Sequence, residues 1–312
     1  MSASAPAVLA PEGVAPTAST GSARRARQRN IAWELARHQP VAFIAGIVVL
    51  GYVVAAVFAP WIAPVDPDRA NLLLRMAPPE FLKGGTAERV LGADSLGRDL
   101  LSRIIWGGRA SLAIGLLSTL ASALVGVALG SLAAYYRGPI DGLISRTAEF
   151  LMAFPLLIFA IGVMTILGPG FWVIILALTF KSWVEFFRLA RAEVLVEKTR
   201  EYSEAARALG ASDARSIGRH LLPNIIHSVL VLATLRTGYF VIMEASLSFL
   251  GLGIQPPTPA WGSMVADGRS FMLDAWWIAT FPGLALLLLV LSLNLLGEGL
   301  RDALDPRLRG SR

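Results

Sequence analysis

The sequence predicts an all-α polytopic membrane protein with six transmembrane helices, and three observations predict it. Of 312 residues 55% are apolar and only 16% charged, with a mean hydropathy of +0.60, too little polar material for a water-soluble chain of this length. Uncharged runs recur that match the ~20 residues needed to cross a hydrocarbon core of about 30 Å. The basic residues cluster beside those runs, where they act as topology signals, so the net charge of +6 does not point to nucleic acid. The chain has no cysteine, which excludes disulfides, thiolate metal sites and a cysteine nucleophile.

Residues 1–40 read as a cytoplasmic tail, its first part rich in Ala, Pro, Ser and Thr and unable to bury a core. The basic cluster Arg24, Arg25, Arg27 and Arg29 lies too far inside the chain for a secretory signal, so the next apolar run is expected to stay uncleaved. Residues 41–65 carry no charge up to Val65 and form the first predicted span. Residues 66–109 are mixed in charge and broken by Pro67, Pro78 and Pro79, which predicts an extracytoplasmic loop. Residues 110–297 form the core. In its first span Ser118, Ser122, Gly126, Gly130 and Ala134 recur every fourth residue, a strip of small side chains that lets another helix approach closely.

The run Phe150–Phe180 is too long for one span and holds Gly168-Pro169-Gly170, so it reads as two helices joined by a tight turn. The fifth span is expected to start near Pro223, which suits a first helical turn, and to continue to about Gly251. A Pro-rich external segment with Trp261 follows, read as an interfacial anchor or a docking surface. The last span covers about Ala275 to Leu296, and residues 298–312 form a cytoplasmic tail. With both termini inside, the inner segments hold 17 Lys or Arg against 8 outside, which favours this orientation.

That topology leaves Thr199–Asn224 as a polar cytoplasmic insert between two membrane helices. Thr199 is expected to cap a first short helix, Gly210 to end it in a left-handed conformation, and Ser212 to cap a second helix that stops before Pro223. Ala205, Ala206 and Leu209 give the first helix a small apolar face, with Glu204, Arg207 and Arg215 as charges at its rim. On physical grounds a solvated amphipathic loop and a docking helix both remain open.

Glu204-Ala205-Ala206, Gly210 and Leu222-Pro223 resemble the EAA loop of bacterial ATP-binding-cassette (ABC) import permeases. Leu91–Leu112, Glu244–Gly253, Pro256–Gly262 and Asn294–Arg309 are similar to the C-type permease of the dipeptide, oligopeptide and nickel branch, and the resemblance extends from Val41 onward. It implies a type I importer permease fold in the bacterial inner membrane, with Thr199–Asn224 as the segment that couples to the ATPase. It implies four kinds of partner: a homologous second permease, two cytoplasmic ATPases that carry ATP and Mg, an extracytoplasmic binding protein, and membrane lipid. Peptides are the implied cargo, with nickel or another small solute as the alternative. His220 departs from the general loop pattern, and Lys181, Glu185 and Arg236 are untypical.

The chain is not expected to be an enzyme or to hold a cofactor or metal. None of Lys83, Lys181 and Lys198 follows a glycine as a P-loop lysine must, and no metal or hydrolase motif occurs. An ATP-independent secondary transporter would instead predict inverted repeats of broken helices, which the sequence does not display. Lys181 and Arg236 fall near mid-depth of their spans, where a bare charge costs at least about 2.5 kcal/mol. Either they line the translocation path, with Lys181 and Arg236 able to hold a peptide carboxylate, or they form ion pairs with Glu185 or the partner permease. Glu244, near the outer end of its helix, is read as part of an outer gate or as a helix cap.

Overall fold

The computed structural model describes residues 39–304, so the basic cluster at Arg24–Arg29 and the last residues of the C-terminal tail lie outside the described part. All regular structure among the described residues is helical apart from one isolated bridge between Ala93 and Asp99.

Helix α1 (Pro40–Val57) opens with proline in its first turn, where a missing N–H costs nothing. It gives way at Phe58 to a four-residue turn, Ala59–Ile62, that contains Pro60. The following loop folds back on itself around Asp94, which accepts hydrogen bonds from the Leu96 and Arg98 backbone N–H groups and from Arg98 Nε at 2.6 Å.

Helix α2 (Leu100–Tyr136) begins ten residues before the predicted span. Asp99 supplies the reason, accepting from Ser102 N at 2.8 Å as an N-cap. The buried Arg103 holds the same turn to the loop through Asp94, Asp68 and the Pro67 carbonyl. The periodic small residues do what their spacing predicts. A Cβ added at Gly126 would stand 2.3 Å from the Trp183 carbonyl oxygen, and one at Gly130 would stand 2.5 Å from that of Phe187. Helix α5 (Phe171–Glu197) therefore lies backbone to backbone against α2 along this strip.

Between them, α3 (Gly138–Met152) and α4 (Leu156–Leu167) meet at a bend of 88°. The sequence assigned most of α3 to an inner loop; its amphipathic pattern makes it a helix, fastened to α5 by the Asp141 carboxylate paired with Arg191. The turn expected at Gly168-Pro169-Gly170 is present, with Gly168 at φ +84°. After the short helix α6 (Glu201–Ala208) the chain runs into α7 (Leu222–Phe249), then α8 (Trp261–Arg269) and α9 (Trp277–Leu304).

Trp261 corrects the sequence reading. It is 1% exposed, and its indole donates to the Ile104 carbonyl at 2.9 Å while covering Gly107 and Gly108 of α2. It anchors α8 to the protein interior, because two adjacent glycines leave a slot the size of an indole and a backbone oxygen meets its one donor.

By length and composition, four helices among the described residues suffice to cross a membrane: α1, α2, the run ending in α7, and α9; the bent pair α3 and α4 makes a fifth if it is one span. The six expected crossings include α5, which is 27 residues long but carries Lys181, Glu185 and Arg188 in its apolar part.

Candidate functional site

The Thr199–Asn224 segment emerges from α5 and returns into α7. Helix α6 starts after Arg200, whose backbone is extended, and no side chain caps it. Thr199 was expected there, but its hydroxyl donates back to the Val196 carbonyl of α5. Gly210 ends the helix at φ +81° as expected, with open space where a Cβ would stand. Ser212 caps the next turn, Asp213–Arg215, by accepting from Arg215 N.

The second short helix does not stop before Pro223. It passes through one π-helical turn, Ser216–Leu221, directly into α7. Pro223 sits in the first turn of α7, and a wide π turn takes up its missing N–H without ending the helix.

The resulting element presents an unusual surface. Glu204, Ala205, Arg207, Gly210 and Arg215 are exposed and Ala206 half-buried, while Leu209 at the tip is 88% exposed. Beneath this tip the helix is held firmly. Glu197 is buried, pairs with Arg200 at 2.9 Å and accepts from the Tyr202 hydroxyl. Asn224 of α7 donates to the same hydroxyl at 3.1 Å. Burial and the neighbouring carboxylate push the Tyr202 phenol up to about 12. Because that pKa is raised, the donor form and its bond persist below the ordinary tyrosine range and are lost only as pH climbs through about 12. The tie is constant across all physiological pH.

Four further residues were singled out in the spans. Glu185 of α5 forms an ion pair with Arg236 of α7, and the Arg236 guanidinium lies 5.1 Å over the Tyr239 ring. Glu185 thus pairs across to α7, and Lys181, its i−4 neighbour on α5, is half-buried and forms no salt bridge among the described residues. Glu244 is 0% exposed. Its two carboxylate oxygens accept from Ser111 Oγ of α2 at 2.6 Å and Ser248 Oγ at 2.7 Å, joining α2 to the C-terminal end of α7.

A large apolar groove of about 940 Å³ opens elsewhere, lined by α1, α2 and α7 residues such as Val53, Leu116 and Leu230, without Lys181, Glu185 or Arg236. Among the described residues no group of three His, Cys, Asp or Glu stands ready to hold a metal ion. Sequence reasoning missed the loop cluster of Arg89, Asp94, Asp99 and Arg103, all buried. The spacing of acidic and basic residues within Leu91–Leu112 was its only signal.

Comparison with known proteins agrees with this arrangement. Residues 126–310 match the family model described as the binding-protein-dependent transport system inner membrane component. Residues 28–79 match the N-terminal transmembrane domain of oligopeptide transport permease C. A di/tripeptide transport system permease protein, DppC, of Pseudomonas aeruginosa is 43% identical over 279 residues, 89% of this chain and 92% of the relative. A putative peptide transport system permease of Brucella abortus is 45% identical, covering 88% and 90%. The glutathione transport system permease GsiD of Escherichia coli is 44% identical, covering 89% and 90%. An inward-facing structure of the MetNI methionine ABC transporter shares the fold at a TM-score of 0.54 and 18% identity, over 66% of this chain and 98% of that one. An all-helical chain with the type I importer permease fold, matched over most of its length by such relatives, belongs to the binding-protein-dependent transport system inner membrane components, the permease subunits of ABC importers.

Proposed function

We propose that this chain forms half of the translocation path for di- or oligopeptides and passes the work of two cytoplasmic ATPases into the membrane through α6. One observation carries the coupling part: a helix tip with Leu209 fully out in solvent on a rigidly tied base, in a chain that lacks a P-loop. Leu209 with Ala205 and Ala206 forms the apolar face that a partner's cleft would cover. Ala205, Ala206 and Leu209 enter a shallow cleft on the ATPase, and Glu204, Arg207, Gly210 and Arg215 set its rim and bend. ATP and Mg²⁺ bind the ATPase subunits.

The remaining partners are a homologous second permease and an extracytoplasmic binding protein. The chain spans the bacterial inner membrane six times, with both termini in the cytoplasm. The positive-inside imbalance supports this orientation. Near-full-length likeness to permeases named for di/tripeptides, peptides and glutathione supports a peptide-like cargo. Nickel or another small solute is the second reading.

By residue count Lys181 and Arg236 fall near mid-depth of their spans, and with Glu185 they carry one surplus positive charge. A half-buried cation at that depth must not face lipid. It lines the path and meets the carboxylate of a passing peptide, while Glu244 secures the outer end of α7 through Ser111 and Ser248.

Affinity purification of the tagged chain from its own membranes tests the coupling reading. The wild-type chain retains the nucleotide-binding subunits and Leu209→Asp loses them. Retention by the variant, or recovery of the wild type alone with transport intact, contradicts it.

A further inference from the structure

The segment between α5 and α7 is fastened at a second point, on its return side. Tyr135, in the last turn of α2, is 9% exposed. Its hydroxyl donates to Asp213 Oδ1 at 2.7 Å, across 78 residues of sequence. Asp213 lies three residues beyond the Gly210 bend, on the return side of α6. Lys198, which closes α5, sends its ammonium to the Tyr135 carbonyl and over the Tyr135 ring at 4.7 Å. One tyrosine thus meets the end of α5 with its ring and carbonyl, and the Asp213–Arg215 turn with its hydroxyl.

We infer that Tyr135 is a positioning residue that ties the far side of the coupling helix to α2, so that α2 is driven by the ATPases together with α5 and α7. This rests on the coupling role proposed for α6. Its base on the entry side is held by Glu197, Tyr202 and Asn224, which belong to α5, α6 and α7. Without the Tyr135 bond, the return side would pivot about Gly210, the flexible point of the segment. With it, a push on α6 displaces both sides at once. The displacement then travels along α2, because the Gly126 and Gly130 contacts leave no slack between α2 and α5. The buried cluster that joins Ala134 and Tyr135 to Phe186, Ala190, Val194, Leu221 and Ile225 makes the three helix ends one packed unit.

Tyr135→Phe keeps the ring, the Lys198 contact and the packing and removes only the hydroxyl. Asp213→Asn keeps an acceptor for that hydroxyl, and Asp213→Ala does not. The full importer, reconstituted in proteoliposomes with its ATPases and binding protein, is assayed for radiolabelled alanyl-alanine taken up per ATP hydrolysed. Tyr135→Phe and Asp213→Ala are expected to assemble normally and hydrolyse ATP while uptake per ATP falls roughly fivefold, the scale of one lost hydrogen bond. Asp213→Asn stays close to the wild type.

An unchanged ratio in Tyr135→Phe overturns the tie. So does a fall in Asp213→Asn as deep as in Asp213→Ala, since charge and not the bond would then matter. Failure of Tyr135→Phe to assemble also overturns it by assigning the hydroxyl to folding. Absence of ATP-linked uptake in the wild type would instead overturn the proposed function, and the tie with it.

Discussion

Gly126 and Gly130 show how much one missing methyl can decide. Each faces a carbonyl of α5 closer than any real Cβ approaches, so the contact exists only because both are glycine. Gly126→Ala is expected to destabilise the chain by about 1–3 kcal/mol, the usual cost of overpacking, and to lower its melting temperature in detergent. Gly238→Ala, whose nearest neighbour would stand at 3.4 Å, is the matched control and should shift it far less. Trp261→Phe removes the indole's bond to the Ile104 carbonyl and the ring that fills the slot over Gly107 and Gly108. Loss of at least about 0.5–1.5 kcal/mol follows, the net worth of one hydrogen bond, and a change confined to membrane partitioning would contradict the interior placement. The glycine strip was legible from its period, because small residues every fourth position have few other uses in a membrane helix. The tryptophan was not, since its slot is built from Gly107 and Gly108, more than 150 positions away in sequence.

At the scale of elements, the decisive piece is α6 and the bend after it. Gly210 adopts a positive φ with nothing near its missing Cβ, so Gly210→Val is a test of backbone strain alone. A β-branched residue in that region costs on the order of 1–3 kcal/mol. Association with the ATPases and peptide uptake should both drop; normal values in both would show that the bend does not position the docking tip. The left-handed Gly210 and the Ser212 cap were readable because local chemistry dictates them. The cap at Thr199 and the stop before Pro223 were misread for the opposite reason. Tertiary ties through Glu197 and Asn224, and a π turn into α7, overrode the local signals. The start of α2 at Leu100 was hidden likewise, because a motif rich in charge reads as loop until its arginines are seen to be buried against Asp94 and Asp99.

For the whole molecule, the path-lining role proposed for Lys181 bears on what the permease accepts. Glu185 and Arg236 neutralise each other across α5 and α7, which leaves Lys181 as the surplus charge of the three. Lys181→Met is expected to reduce peptide uptake about tenfold with assembly intact, since about 1.4 kcal/mol of lost attraction corresponds to that factor, whereas Lys181→Arg retains most of it. Equal uptake in wild type and Lys181→Met for every peptide would remove Lys181 from the path. The sequence left open which acid serves which cation, because that depends on how α5 and α7 face one another.

In the coupling proposed above, the permease is driven from outside itself through the segment between α5 and α7. The most direct measurement is peptide uptake into proteoliposomes that contain the chain, its homologous permease and the binding protein, with and without the ATPase subunits. Uptake that requires both ATP and those subunits, and that falls in Gly210→Val, is the expected result. Uptake without any ATPase, sustained by an ion gradient, would contradict the account.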